Sequence, residues 1–326
     1  MEKWRYEKGL QEIGDGAWAY LLPNGSWGWS NAGLIVDGEE SLLVDTLFDE
    51  RLTADMLAIM KDATGIGGKD ITTLINTHAN GDHTFGNRLV EKAEIIASAA
   101  SAGEMNDFPP DVMAQIMKQA PTMGDAGAFL MDIFSPFHFE GVQLKPPTRT
   151  FSGRLDLKVG DKDVHLIEVG PAHTKGDTLV YVPQDRVIYT GDILFIDGTP
   201  IIWAGPVGNW IKACDMMMNM DVEVIVPGHG PITDKNGVRQ VRDYLSFIDT
   251  EARKRFDAGM SFEEAANDIA LGEFGRWSDR ERIVVNMYSL FKEYRGATEH
   301  PDMMKLFGLM GQYRAKHAGH DHTCGG

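Results

Sequence analysis

The chain has 326 residues, 43% hydrophobic and 24% charged, with a formal net charge of −17. That length supports one large domain or two modest ones around a substantial core. The acidic balance disfavours phosphate backbones and anionic membrane surfaces, so neither nucleic acid nor membrane is an expected partner. No apolar run of roughly 18 residues marks a membrane span. The N-terminal stretch MEKWRYEKGLQEIGDG lacks the apolar core of a signal peptide. Cys214 and Cys324 are far apart in sequence, so no disulfide framework is expected and a reducing cytoplasm is the expected compartment.

In chain order, GAWAYLL, NAGLIVDG and SLLVDT read as successive strands, with the Gly- and Trp-rich loop PNGSWGWSN between the first two. Phe48, Leu52, Met56 and Met60 recur at helical spacing and predict a helix over 48–63. DITTLINT predicts a strand, FGNRLVEKA the start of a helix and EIIAS another strand. Residues 100–150, rich in Met, Phe, Pro and Gly, predict an inserted helical lid. Strands resume with TFSGRLDLKVG, DVHLIEVG, DTLVYVP and RVIYTGD; a helix over 210–220 precedes the strand VEVIVPGHG. Amphipathic patterning then predicts helices to about Tyr313. A faint echo between LIVDGEESLLVDT and LVYVPQDRVIYTGD suggests two packed sheets, each covered by helices.

Chemistry-bearing residues gather just past the apolar runs. Asp45 closes LLVDT; His78, Asp82 and His83 follow LINT; His173 sits in VGPAHTKGDT, Asp192 closes VIYTGD and His229 sits in VPGHG. Gly-rich turns at strand ends let side chains converge above a rigid scaffold. Imidazole and carboxylate together suit Zn²⁺ first, with iron or manganese as other candidates.

The order of these motifs resembles the metallo-β-lactamase superfamily, whose signature runs Asp, H-x-H-x-D-H, His, Asp, His. The resemblance covers roughly residues 14 to 245 and implies a four-layer αββα sandwich, here carrying a helical insert and a helical C-terminal extension. It divides the chain into a catalytic portion over 1–245 with a lid at 100–150, an extension over 246–313 and a flexible tail over 314–326. It places His78, Asn80 and His173 on a first metal site, Asp82, His83 and His229 on a second, Asp192 between them, and Asp45 beneath as structural support. Asn80 departs from the pattern, because a carboxamide is a much weaker ligand than imidazole. One zinc held firmly by Asp82, His83, Asp192 and His229 is therefore expected, with the second metal weak or absent.

By the same resemblance, the expected activity is hydrolysis by metal-bound hydroxide, with Asp82 or His78 accepting a proton and Asn80 facing the reaction chamber. Trp27, Trp29, Trp203 and Trp210 are expected to border the substrate, a small apolar or aromatic ester, lactone or amide. Alternatives are a hydrolytic dehalogenase of an activated haloaromatic, a mononuclear-iron sulfur dioxygenase using His78, His173 and Asp192, and a non-catalytic metal-binding member. A homo-oligomer is expected, with the C-terminal helices either capping the site or making a homodimer contact. His138 and His165 are read as surface or structural residues and Cys214 as core; His317, His320, His322 and Cys324 are read as a mobile terminus.

Overall fold

A computed structural model describes residues 4–317. Strands β1 (Gly9–Glu12), β2 (Ala17–Leu21), β3 (Ala32–Asp37), β4 (Glu40–Val44), β5 (Thr73–Ile75), β6 (Glu94–Ser98) and β7 (Arg149–Phe151) form one sheet in sequence order. Strands β8 (Arg154–Val159), β9 (Lys162–Glu168), β10 (Thr178–Val182), β11 (Val187–Tyr189) and β12 (Val224–Val226) form a second. The helices are α1 (Glu50–Thr64), α2 (Gly81–Thr84), α3 (Ala99–Glu104), α4 (Pro110–Gln119), α5 (Gly124–Phe134), α6 (Val207–Asn219), α7 (Lys235–Asp257), α8 (Phe262–Asp268), α9 (Ile283–Tyr294) and α10 (Met303–His317).

Strand alternation explains the layering. Ala17, Ala19, Leu21, Ile35, Leu42 and Val44 of the first sheet pack with Val164, Leu166, Val180, Val182 and Tyr189 of the second in a core between the sheets. The opposite faces bury Tyr20, Leu34, Leu43 and Leu74, or Leu179, Ile188 and Ile225, in a core that includes the helices. Helix α1 contributes Leu52, Met56 and Met60; α6 and α7 contribute Trp210, Met217, Val238, Val241 and Leu245. This is the αββα sandwich. α1 is defined at its ends by Asp49, whose Oδ1 accepts the Leu52 N–H at 2.7 Å, and by Gly65 at φ 78°.

Two local expectations are corrected. FGNRLVEKA forms only a single 3₁₀ turn, Asn87–Leu89. The Asn87 amide is instead committed to Thr46, Asn76 and the Lys145 carbonyl, in buried contacts that fix the segment as a plug rather than a helix. TFSGRLDLKVG is two strands: the chain turns at Gly153 (φ 72°), leaving β7 on β6 in the first sheet and β8 on β9 in the second.

The 100–150 region holds α3 to α5, and α5 packs against α10. α7 runs unbroken through residues 245 and 246, and α10 carries helix to His317, inside the tail expected over 314–326. His320, His322 and Cys324 lie outside the described residues. No helix among the described residues is long and apolar enough to cross a membrane.

Candidate metal centre

Every expected ligand lies past the C-terminal end of a strand: Asp45 after β4, His78, Asp82 and His83 after β5, His173 after β9, Asp192 after β11 and His229 after β12. Parallel pairing of β4 with β5 and of β11 with β12 brings four of these loops to one end of the sandwich. All seven side chains are buried.

Asp192 is the centre of the group. Its Oδ2 is 3.7 Å from His78 Nε2 and 3.3 Å from His173 Nε2. Its Oδ1 is 3.1 Å from His83 Nε2 and 3.5 Å from His229 Nε2. One oxygen thus faces each half of the cluster. Asp82 Oδ2 completes the second half, 3.2 Å from His229 Nε2 and 3.8 Å from His83 Nε2. Ligand atoms of His78, His83 and Asp192 lie within 4.8 Å of one another, as do those of Asp82, His83 and His229. Gly228 permits the closeness: a Cβ there would sit 2.0 Å from Asp192 Oδ1.

The hydrogen bonds set the imidazole tautomers. Asp45 accepts the Thr77 N–H and the Thr77 hydroxyl, both at 2.7 Å, so the hydroxyl oxygen is free to accept from His78 Nδ1 at 3.0 Å. His83 Nδ1 donates to Asp45 Oδ2 at 2.9 Å, and His173 Nδ1 donates to the Ile201 carbonyl at 2.7 Å. With Nδ1 donating in all three rings, each Nε2 is turned into the cluster, where a metal would take its lone pair. His78 Nε2, His83 Nε2 and Asp192 Oδ1 are buried without a hydrogen-bond partner. Buried polar atoms without partners are costly, and a cation among them would satisfy them together. The donor set therefore fits a metal ion.

Electrostatics agree with that fit. Burial pushes the Asp192 carboxyl up, but His229, His83, His78 and His173 outweigh it and hold the group well below the usual carboxylate range. Burial pulls His83 and His229 down, but the carboxylates of Asp192 and Asp82, joined at His83 by Asp45, outweigh it; His83 rises well above its ordinary value and His229 to about 9. Burial above all, then the His83 charge, holds His78 well below its ordinary value, so its ring stays neutral. The carboxylates of Asp192, Asp82 and Asp45 thus favour positive charge in this cluster, which a cation would supply.

Asn80 lies at the rim, half-buried, with Nδ2 3.1 Å from His173 Nε2. Since His173 Nδ1 is the protonated nitrogen, the amide must be the donor. Asn80 thus occupies the lone pair that a cation in the first half would use.

A family model described as the metallo-beta-lactamase superfamily matches residues 25–229. The chain belongs to that superfamily. Among curated relatives, the α subunit of 2,4-dinitroanisole O-demethylase from Nocardioides sp. is 29% identical over 167 residues, which are 49% of this chain and 41% of that protein. A probable metallo-hydrolase of Methanocaldococcus jannaschii is 24% identical over 66% of this chain and 95% of its own. Among solved structures, the sec-alkylsulfatase Pisa1 from Pseudomonas sp. superposes with a TM-score of 0.68 at 16% identity, covering 89% of this chain and 50% of that one. A metallo-beta-lactamase from Pontibacter korlensis gives 0.54 at 17% identity, covering 74% and 99%. The chain thus spans about half the length of the demethylase subunit and the sulfatase. The relatives include a probable metallo-hydrolase and metallo-beta-lactamases, and the His and Asp cluster is this chain's candidate metal site.

The four tryptophans separate into two kinds. Trp29 is half-buried against Phe137 at 4.9 Å, on the loop where the Ser30 hydroxyl bonds the Asp82 carbonyl. Trp203 is half-buried and lines a cavity of about 200 Å³ with Pro206, Tyr288 and Leu306. Trp27 and Trp210 are buried in the packed interior and not exposed on a loop surface. Trp210 is fully buried, donates to the Ile193 carbonyl at 2.9 Å and meets His173 edge-on. Trp27 is buried between Phe129, Phe134 and Phe307 and donates to Glu281 at 2.9 Å. Both rings are apolar mass whose N–H finds a buried acceptor. Cys214 is buried core and the His138 side chain is exposed; His165 contacts Asp156 on the neighbouring strand at 2.7 Å.

Sequence reasoning misses Phe195, Thr77 and Asp177. Phe195 lies parallel to His229, ring centroids 5.1 Å apart. Asp177 accepts the Thr174 N–H and, at 2.7 Å, the Thr174 hydroxyl, closing the loop that carries His173. Thr77 and Asp177 sit inside THANGDH and AHTKGD, where a polar residue beside each ligand is the available signal.

Proposed function

We propose that this chain is a zinc-dependent hydrolase of small aromatic or lipophilic molecules, with one cation held firmly by Asp82, His83, Asp192 and His229. The carrying observation is the convergence of orphaned Nε2 atoms on the two oxygens of Asp192. Imidazole and carboxylate donors support zinc, and the same set accommodates iron or manganese. Weak or absent metal in the first half is supported by Asn80, which donates to His173 Nε2 where a third imidazole would otherwise bind.

The cation's contribution, when bound, is Lewis acidity that makes water acidic near neutral pH. The protein's residues do the rest. Asp45 fixes the His83 ring through Nδ1. Asp82 is the most exposed carboxylate of the set at its side chain and can take the proton released from water; His78 offers a free Nε2, but burial disfavours a proton there, which makes it the weaker base. Trp29 and Phe137 provide an aromatic wall on the loop that touches Asp82. Esters, lactones and amides fit this arrangement.

A second reading has its own support, the similarity to a protein named for 2,4-dinitroanisole, a nitroaromatic ether. Here the oxygen of water bonds to an activated ring carbon, the carbon–halogen or carbon–alkoxy bond breaks, the leaving group departs with the electron pair, and the water proton passes to Asp82 or His78.

Elemental analysis with anomalous diffraction tests the metal, and turnover of phenyl acetate, a lactone series, 2,4-dinitroanisole and a dinitrohalobenzene tests the reaction. One zinc per chain after dialysis is expected. Two tightly held zinc ions would overturn the single-site reading, and iron on His78, His173 and Asp192 would replace hydrolysis by an oxygenase. Zinc without turnover on any class would leave a binding protein.

A further inference from the structure

The C-terminal helices reach His173 through one loop. Residues 199–203 follow Asp192 and run past His173. The Ile201 carbonyl takes the His173 Nδ1 proton at 2.7 Å, while the Trp203 and Ala204 N–H groups both donate to the His173 carbonyl at 3.0 Å. The ring and backbone of His173 are thus held by the same short segment.

That segment is suspended from α9. Asn286 is fully buried; its Oδ1 accepts the Ile202 N–H at 2.9 Å and its Nδ2 donates to the Pro200 carbonyl at 2.9 Å and to the Tyr244 hydroxyl at 3.0 Å. One amide therefore grips the peptide groups on both sides of Ile201, and its orientation is fixed because Ile202 supplies a donor and Pro200 an acceptor. One helical turn further, the Ser289 hydroxyl donates to the Ile202 carbonyl at 2.6 Å. Just before α9, Arg282 donates to the Thr199 carbonyl at 2.9 Å while its guanidinium lies 5.2 Å from the Phe195 ring, which stacks on His229.

We propose that Asn286, supported by Ser289, is a positioning residue for the His173 half of the cluster: by clamping Pro200 and Ile202 it aims the Ile201 carbonyl at His173 Nδ1 and so fixes the tautomer and direction of that ring. The metal role rests on the reading of the centre given above; the positioning of the ring does not. The Asn286 hydrogen bonds go to Ile202, Pro200 and Tyr244, none of them a ligand, so its effect is transmitted through the loop. Other acceptors at Asp45 and Thr77 fix His83 and His78 independently of α9. The structure therefore assigns Asn286 and Ser289 a selective task, support of the His173 half.

The test is ¹⁵N NMR of histidine-labelled protein, wild type against Asn286→Ala, Ser289→Ala and Ser289→Thr, with zinc titration. In the wild type, His173 should show a single Nδ1–H tautomer with a slowly exchanging proton. Asn286→Ala should accelerate that exchange and populate the other tautomer, while the His83 signal stays put. Ser289→Ala should act in the same direction more weakly, and Ser289→Thr, which keeps a hydroxyl, should restore the wild-type signal. The firmly held metal does not use His173, so its affinity should stay near the wild-type value in Asn286→Ala, while a weaker metal bound through His173 should loosen by roughly 10- to 100-fold. An unchanged His173 signal in Asn286→Ala overturns the proposal, as does equal disturbance of His83 and His173, the mark of a merely structural defect. If Asn286→Ala does not fold, an unchanged His173 signal in Ser289→Ala overturns it. Should zinc move no histidine signal in the wild type, the metal reading fails, and the His173 comparison still decides the positioning claim.

Discussion

The two halves of the ligand cluster share Asp192 but are built differently. Around Asp82, His83 and His229, the ligands converge without an interposed side chain, and His83 is held from within the sandwich by Asp45 at the end of β4. Around His78 and His173, an amide donates into the cluster and His173 is held by a loop suspended from α9. The first arrangement is finished for a cation; the second is finished for a hydrogen bond. The lesson is that a single altered residue, Asn80, divides a symmetrical set of donors into one side suited to a metal and one side suited to other work.

The sharpest way to break this comparison is to remove the shared or exclusive ligands. Asp192→Ala and His229→Ala should lose the firmly held metal and reduce kcat/KM by far more than the roughly 10- to 100-fold expected for outer partners. Metal content after dialysis checks it; if either variant retains a full equivalent, the assignment of the second half is wrong. Gly228→Ala comes next. Its new Cβ would meet Asp192 Oδ1 at 2.0 Å, so the carboxylate must shift away from both halves. Chelator competition should show metal affinity about 10- to 100-fold lower, the scale of a displaced ligand support.

Asn80→His attacks the difference itself. An imidazole in place of the amide removes the donor facing His173 Nε2 and adds a third nitrogen beside His78. The metal count should rise from one equivalent toward two. A count that stays at one would mean that Asn80 is not what weakens the first half.

Much of the fold and of the ligand set is legible in the amino-acid sequence. Ligands after apolar runs, in Gly-rich turns, specify strand ends whatever the surrounding packing, and the strand-end positions of Asp45, His78, Asp192 and His229 follow from that pattern. The supports are less legible because hydrogen bonds across the fold leave no local period. Asn286 meets Ile202 across 84 residues, and in RIVVNMYSL it reads as one polar break in a helix. The burial of Trp27 is hidden for a related reason. A Gly-rich loop suggests exposure, but Trp27 is enclosed by residues of α5 and α10, elements more than 90 residues away. FGNRLVEKA carries helical spacing, yet the Asn87 bonds to Asn76 and Lys145 outweigh one further turn of helix.

A pH titration sharpens the comparison without mutation. His229 rises to about 9 and His83 well above its ordinary value, so at neutral pH the metal-free second half carries protons that a cation must displace. Apparent metal affinity should therefore increase with pH up to about 9, by about tenfold per unit for each proton displaced. The sign for stability is opposite. A raised imidazole pKa stabilises the metal-free fold below the unfolded value and ceases to do so as pH rises through the folded one. The Tm of metal-free protein should thus fall between about pH 6.5 and 9 through this contribution, while the metal-loaded Tm should not follow it. Affinity that is flat over that window would show that His229 is neutral already.

The smallest expected effect on activity lies in the loop beside His173. Burial raises the Asp177 carboxyl to about 8, against the opposing pull of its Thr174 hydrogen bonds. A carboxyl with a raised folded pKa holds a proton that the unfolded chain has lost, so its contribution falls as pH climbs from about 4 toward 8 and is level beyond. Asp177→Asn cannot titrate. The Tm difference between wild type and variant, measured in metal-free protein, should move in the variant's favour across that interval and then stop changing. Asn retains one oxygen for the Thr174 N–H, so the His173 loop should stay closed and activity should change little. Parallel curves for the two proteins would mean that Asp177 is ionised in the fold, with the Thr174 hydrogen bonds sufficient to keep its charge buried.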